Sequence, residues 1–195
     1  MNRRGMLRLA AAGSLPGSLA ASLAQPGASK TPALEAILRT GGCAVMLRHA
    51  QTVPGVGDPP NFQLRQCSTQ RNLSDEGRAQ AAAIGRWFSS RALKPSSVWS
   101  SPWCRCKDTA AAFGAFNVLT ALGSTFDGKS DATAQTAALR ERLASIAPLQ
   151  FEVWVTHQVN VSALTGKVPA MGEALVLRAN ASGGGPVVLA RTSFS

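Results

Sequence analysis

The chain has two histidines, and each stands at the end of a short, mainly apolar segment. His49 follows Arg48 at the end of the apolar run 43–47, and His157 follows the run 151–156. An imidazole can act as a nucleophile or as an acid–base group, and an arginine binds anions through its planar fork. Side chains that follow the carboxyl ends of strands lie where open α/β sheets hold their ligands. The pattern therefore predicts an anion site at one sheet edge, with a histidine as the reactive group.

A second arginine belongs to the same pattern. Arg105 comes after the short strand-like run 97–100 and a Ser101-Pro102 turn, and it falls in the first turn of a predicted helix. Phosphoryl transfer needs an in-line nucleophile, cations on the non-bridging oxygens and a proton for the leaving oxygen. A histidine with two arginines meets the first two needs, so these residue types favour phosphoryl chemistry.

In chain order, Arg-His-Ala, Ser-Ser-Pro-x-x-Arg and Thr-His resemble the motifs of the histidine phosphatase (phosphoglycerate mutase-like) superfamily. The resemblance covers about residues 43–166, and an alanine stands where the family usually has glycine after Arg-His. It implies that His49 is the nucleophile and forms a phosphohistidine. It further implies that Arg48, Arg105 and His157 bind the transferred phosphate, with His157 as an imidazolium. No metal or cofactor is expected, because these side chains already neutralise the phosphate charge.

The proton donor for the leaving group is less well defined. Members of the family often place an acid between the second arginine and the second histidine, where this chain has Asp127 and Asp131. We predict Asp127, and Glu173 near the last predicted strands is an alternative. A substrate with a good leaving group would need no acid.

The segment 53–72 is predicted to be a long loop, because prolines and glycines interrupt it throughout. In the family, the equivalent of its last residues lines the phosphate pocket. The resemblance therefore implies that Gln70, Arg71 or Asn72 donates hydrogen bonds to the anion, and Asn72 is taken as a phosphate-binding residue. The alternative is that these polar side chains satisfy turns of the loop itself.

The first 24 residues have the pattern of an export signal. An Arg3-Arg4 pair precedes an apolar stretch rich in alanine and leucine, and Ser22–Ala24 has the small residues that a signal peptidase cleaves after. The arginine pair makes the twin-arginine route an option. Because Pro16 interrupts the stretch, a permanent membrane span is not expected. The sequence thus predicts an exported, periplasmic protein.

Four cysteines can be interpreted in this light, since export permits disulfide bonds. A bond from Cys67 to either Cys104 or Cys106 would tie the long loop to the helix that carries Arg105, and the sequence does not choose the partner. Cys43 is predicted to be a buried thiol. A zinc site or redox module is the competing interpretation, but the cysteine spacings do not match common zinc ligand sets.

The formal charge of +10 includes three arginines of the export segment, which leaves +7 for the remaining chain. A basic surface favours anionic partners, and a phosphorylated small molecule or glycan is the expected substrate. Basic residues are scattered and do not alternate with aromatic ones, so no nucleic-acid partner is expected. The same pocket in a non-catalytic protein that binds a phosphoglycan or phospholipid is the alternative function, and the oligomeric state stays open.

Predicted strands and helices alternate along the chain, which is typical of the α/β class. Residues 25–32 are interpreted as a linker and 33–195 as one histidine phosphatase domain. A final pair of strands around 174–179 and 186–190 suggests an antiparallel hairpin. The expected fold is therefore a three-layer αβα sandwich with a mostly parallel, mixed central sheet, as in phosphoglycerate mutase-like proteins.

Overall fold

The structure is a computed structural model that describes residues 1, 31–55, 57–126, 128 and 130–194. Almost all of the predicted export segment 1–24, and the predicted acid Asp127, lie outside these residues. The first helix begins at Thr31, two residues earlier than the predicted domain boundary. Within the described part of the chain, no helix is both long and apolar enough to cross a membrane.

A single mixed sheet forms the centre of the described domain. Its strands in chain order are β1 (Cys43–Arg48), β2 (Ser97–Ser100), β3 (Asn117–Val118), β4 (Phe151–Thr156), β5 (Glu173–Arg178) and β6 (Val187–Ser193). They lie side by side in the order β3-β2-β4-β1-β5-β6. The first four of this order pair in parallel, while β5 and β6 are antiparallel to their neighbours. The mostly parallel, mixed sheet predicted from the sequence is confirmed.

Helices cover both faces of this sheet. They are α1 (Thr31–Thr40), α2 (Asp75–Ser89), α3 (Cys104–Ala110), α4 (Ala132–Ser145) and α5 (Gln158–Thr165). The first three pack on one face and the last two on the other. Strand β1 is apolar at successive positions because Val45 and Leu47 contact the first helix layer while Ala44 and Met46 contact the second. The three-layer αβα sandwich is therefore confirmed as well.

Local signals fix the helix that follows the long loop. The Ser74 hydroxyl caps α2 by accepting a hydrogen bond from the Gly77 amide at 3.1 Å. A side chain at Gly77 would collide with the Gln51 carbonyl, since a Cβ atom there would lie 1.8 Å from that oxygen. The Ser74 amide also donates to Gln51 at 3.1 Å. The start of α2 is thus docked on the residues that immediately follow His49.

The loop 53–72 is clamped to the start of α3 by a disulfide between Cys67 and Cys104, whose Cα atoms lie 5.6 Å apart. This bond resolves the choice that the sequence left open. Cys43 and Cys106 are buried free thiols, as expected for Cys43. Two of the four sulfurs are therefore consumed in a covalent bond and are not available as zinc ligands.

Amide side chains reinforce the clamp. The Gln70 side chain donates to the Gln63 carbonyl at 2.9 Å and accepts from the Cys104 amide at 2.9 Å. The Asn72 side chain donates to the Cys67 carbonyl at 2.7 Å. The Gln70 and Asn72 side chains therefore satisfy the loop and the start of α3, as in the alternative interpretation, whereas Arg71 lines the cavity described below.

Removing the disulfide should destabilise the domain. A Cys67→Ser, Cys104→Ser double variant frees a crosslink between residues 37 positions apart, and we expect the free energy of unfolding to fall by about 2–4 kcal/mol. Urea unfolding with and without dithiothreitol measures this loss. The wild-type protein should approach the variant when reduced, and the variant should not respond to the reductant. Equal stability of wild type and variant under oxidising conditions would contradict the prediction.

Candidate active site

The two histidines lie side by side because their strands are parallel neighbours. The register of β1 and β4 pairs Arg48 with Thr156, so the strands end together and each histidine follows at once. The His49 amide continues this pairing by donating to the Thr156 carbonyl at 2.9 Å. The ring centroids of His49 and His157 are 5.5 Å apart. The strand-end pattern in the sequence therefore does bring both imidazoles to one place.

Arg105 reaches the same place from the other side of β4. The Ser101 amide extends the pairing of β2 with β4 by donating to the Val155 carbonyl at 2.9 Å, and α3 begins three residues later. One guanidinium nitrogen of Arg105, Nη2, then lies 3.4 Å from Nδ1 of His157. Arg105 is only 4% exposed, so this cation belongs to the interior of the site.

A cavity of about 640 Å³ lies where these elements meet. Four of the predicted site residues line it, namely Arg48, His49, Arg105 and His157. Aromatic side chains and a proline-rich segment form part of its wall, including Pro59, Pro60, Phe62, Trp103 and Phe126. A space of this size accommodates a small organic molecule in addition to an anion.

The other predicted candidates do not all line the cavity. Asn72 is not among the residues that line the cavity, whereas its neighbour Arg71 is. Asp131 caps α4 by accepting hydrogen bonds from two backbone amides at 2.9 and 3.0 Å. Glu173 pairs with Arg191. Asp127, the predicted acid, lies outside the described residues.

His49 is held as a neutral imidazole with a defined tautomer. Its Nδ1 lies 2.8 Å from the Ala50 carbonyl oxygen, which can only accept a hydrogen bond, so Nδ1 carries the proton. Burial lowers the pKa of His49 to about 3; the bond to Ala50 opposes this shift, and the nearby Arg105 and Arg48 add to it. Atom Nε2 therefore keeps its lone pair at neutral pH, as a nucleophile requires.

His157 is neutral too, which differs from the imidazolium expected from the sequence. Burial holds the pKa of His157 well below its usual range, and the positive charges of Arg105 and Arg48 lower it further. Its Nε2 lies 2.8 Å from the Ser101 hydroxyl, and the Trp103 ring packs edge-on against the imidazole at 5.2 Å. The same arginines that make the pocket attractive to an anion thus disfavour a third positive charge.

The arginines supply buried donors at the cavity. Arg48 donates through Nη1 to the Gln158 side chain at 2.8 Å and to the Pro169 carbonyl at 2.9 Å. The Nε atoms of Arg48 and Arg105 are buried without a hydrogen-bond partner among the residues that the structure describes. Burial and the nearby charges of Arg71 and Arg105 lower the pKa of Arg48, and an anion bound beside these cations would offset their repulsion.

Sequence reasoning missed one acidic residue of this site. Asp58 lines the cavity, and its Oδ1 accepts hydrogen bonds from Arg105 Nη1 at 2.9 Å and from the Arg71 amide at 3.0 Å. The only local signal is an acid beside Pro59-Pro60 in a loop, which is too common to single out. Among the described residues, no three His, Cys, Asp or Glu side chains are grouped to hold a metal ion.

Comparison with known proteins agrees with this geometry. The family model of the histidine phosphatase superfamily (branch 1) matches residues 44–122. No curated protein matches the sequence significantly. The solved protein histidine phosphatase SixA, in complex with tungstate, is 16% identical with a TM-score of 0.56, and the match covers 77% of this chain and 96% of that one.

Two further solved structures have the same fold. A mutant phosphoserine phosphatase from Entamoeba histolytica, in complex with phosphoserine, is 12% identical with a TM-score of 0.53, and coverage is 78% of this chain and 97% of that one. A mycobacterial glucosyl-3-phosphoglycerate phosphatase is 18% identical with a TM-score of 0.50, with coverage of 70% and 90%. At such identities the likeness establishes the fold. The family match over residues 44–122 agrees with this fold and supports the resemblance to the histidine phosphatase superfamily.

Proposed function

We propose that the protein is a metal-independent phosphatase that hydrolyses a phosphomonoester through a phosphohistidine on His49. One observation carries this proposal. Nδ1 of His49 keeps its proton and donates it in a hydrogen bond to the Ala50 carbonyl, which leaves Nε2 as the basic nitrogen of a neutral ring. The ring also lines the same cavity as Arg48 and Arg105. A nucleophile and cations for the phosphate oxygens are therefore adjacent.

In the proposed reaction, Nε2 of His49 attacks phosphorus and the bond to the leaving oxygen breaks. Arg48 and Arg105 bind non-bridging oxygens through guanidinium nitrogens, as planar forks do. His157 is a further hydrogen-bonding group beside Arg105. A phosphate dianion would favour the protonated form of His157, because an opposite charge nearby stabilises the imidazolium. Water then hydrolyses the phosphohistidine and releases phosphate.

The proposed substrate is a phosphorylated small molecule or glycan. The cavity is larger than a phosphate group needs, and the Phe62 and Trp103 rings, whose centroids are 5.8 Å apart, are part of its wall. Phe126 also lines it and is 87% exposed. These aromatic side chains could pack against the apolar part of the alcohol that is released from the phosphomonoester.

Phosphate release from an aryl phosphate tests the reaction. We expect release that persists in EDTA and falls at least about 100-fold in His49→Ala, because that variant lacks the nucleophile. Vanadate binding and the melting temperature of His49→Ala serve as controls, since they report whether the pocket and fold are intact. Turnover in His49→Ala equal to wild type would contradict a phosphohistidine. If the wild type bound vanadate but released nothing from aryl or sugar phosphates, the non-catalytic anion-binding function would be favoured.

Stability should depend on pH through the buried histidines. Below about pH 6.5 both imidazoles are protonated in the unfolded chain, whereas folding holds the pKa of His49 at about 3 and that of His157 well below its usual range. The unfolded state therefore binds more protons, and the free energy of unfolding should fall as pH drops from 6.5 toward 5. Each histidine contributes up to about 1.4 kcal/mol per pH unit.

Urea unfolding of the wild type and His49→Gln between pH 7 and pH 5 measures this dependence. In His49→Gln, the free energy of unfolding should depend less steeply on pH, because one titrating imidazole has been removed. An identical slope in both proteins would show that His49 titrates normally in the folded state and would contradict the prediction.

We also propose that the protein is exported to an oxidising compartment such as the periplasm. The sequence pattern of residues 1–24 supports this, and so does the disulfide between Cys67 and Cys104, a bond that persists in oxidising environments. Fractionation of cells that express the full chain should find a protein that begins at Gln25 outside the cytoplasm. An uncleaved chain in the cytoplasm with both cysteines reduced would contradict the proposal.

A further inference from the structure

We propose that Asp58 is the general acid that protonates the leaving oxygen. This inference rests on the proposed phosphatase reaction, because that reaction needs a proton donor. The family pattern indicates Asp127 or Asp131 for this role, and Glu173 is the alternative predicted outside that pattern. Asp131 caps α4 and Glu173 pairs with Arg191. Among the described residues that line the cavity, Asp58 is the one acidic side chain.

The contacts of Asp58 place its carboxyl group beside the expected phosphate position. Oδ1 lies 2.9 Å from Nη1 of Arg105, while Nη2 of the same guanidinium lies 3.4 Å from His157. A phosphate oxygen bound by Arg105 would therefore be next to both groups. The side chain of Asp58 is 21% exposed, so the carboxyl group is neither fully solvated nor sealed in the core.

The loop holds Asp58 in this position by several independent restraints. A proline follows Asp58, which limits its backbone to extended conformations. The Arg71 amide donates to Oδ1 at 3.0 Å. Beyond Pro60, Phe62 packs on Trp103, and the disulfide at Cys67 fixes the other end of the loop. A group that is positioned this firmly is suited to a directed proton transfer.

The proton for the leaving oxygen resides on the Asp58 carboxyl group while the substrate is bound. A phosphate bound at Arg105 places a second anion beside the Asp58 carboxylate, and a proton on the carboxyl group relieves their repulsion. As Nε2 of His49 forms its bond to phosphorus, the bond from phosphorus to the leaving oxygen breaks and that oxygen takes the proton from Asp58. The Asp58 carboxylate then accepts a proton from the water that hydrolyses the phosphohistidine, which restores the starting state.

The dependence of Asp58→Asn on the leaving group tests this role. A nitrophenyl phosphate has a stable leaving anion and needs little protonation, whereas an alkyl phosphate such as 2-phenylethyl phosphate needs a proton. For each substrate, kcat/KM reports the transfer of the phosphoryl group to His49 and is not affected by the later hydrolysis of the phosphohistidine. We expect kcat/KM to fall at least about 100-fold on the alkyl phosphate and less than about 10-fold on the aryl phosphate.

Two matched variants serve as controls. Asp131→Asn removes an acid that caps α4 and does not line the cavity. Any change it makes in kcat/KM should therefore be the same factor for both substrates. Asp127→Asn tests the acid predicted from the family pattern. A leaving-group-dependent loss in Asp127→Asn but not in Asp58→Asn would overturn the assignment.

Other outcomes are equally decisive. An equal loss on both substrates in Asp58→Asn would mean that Asp58 only orients Arg105. Tighter vanadate binding with unchanged kcat/KM would mean that the carboxylate merely competes with phosphate for Arg105. Either result overturns the inference while the proposed function stands. If the wild type and His49→Ala turned over both substrates equally, or neither did, the proposed function would fail, and the general acid with it.

Discussion

The parallel register of β1 with β4 is the constraint on which the rest of the site depends. Because Arg48 is paired with Thr156, both strands end at the same level of the sheet, and His49 and His157 follow side by side. A shift of one residue in either strand would turn its side chains to the opposite face. Because β1 is apolar up to Leu47 and is buried against helices on both faces, a shift toward the core would draw the Arg48 cation into the interior.

Burial, with a smaller contribution from nearby cations, sets the protonation state of the two histidines. Arg48 and Arg105 lie close enough to the imidazoles that each adds to the effect of burial in lowering their pKa. The cost of bringing these cations together is partly offset inside the protein by Asp58, Gln158 and the Pro169 carbonyl. This balance leaves a neutral His49 beside positive charge, a combination that solvent-exposed groups would not maintain at slightly acidic pH.

The parts of the site that depend on local pattern could be predicted from the sequence. An apolar run that ends in Arg-His indicates a buried strand whose next side chains reach the sheet edge, and this needs no knowledge of the loops. The αβα sandwich followed from the alternation of such runs with amphipathic segments. The protonation state of His157 could not be predicted, because it depends on how deeply the ring is buried and on the arginines that three separate elements bring near it.

The long loop could be recognised, but its contacts could not. Cys104 and Cys106 are two residues apart on one helix, and only the three-dimensional structure shows that Cys104 bonds to the loop while Cys106 lies 3.5 Å from His157 Nε2. Likewise, Asn72 lies in the segment that the family resemblance assigns to the phosphate pocket, yet its side-chain amide donates to the Cys67 carbonyl. Such pairings depend on the path of a loop whose prolines and glycines carry no periodic pattern.

The site therefore combines two kinds of support. Strand ends and the first turn of α3 hold the groups that would contact phosphorus and its oxygens, and these positions are set by the sheet. The side of the cavity away from the sheet includes loop residues, among them Asp58 and Phe62, which no strand positions. Ordering a loop of this length without a crosslink would carry a large entropic cost. The disulfide to Cys104, one residue before Arg105, restrains this side of the cavity relative to the arginine. In the proposed reaction, phosphate binding would thus depend on the sheet, while contact with the rest of the substrate would depend on a covalently anchored loop.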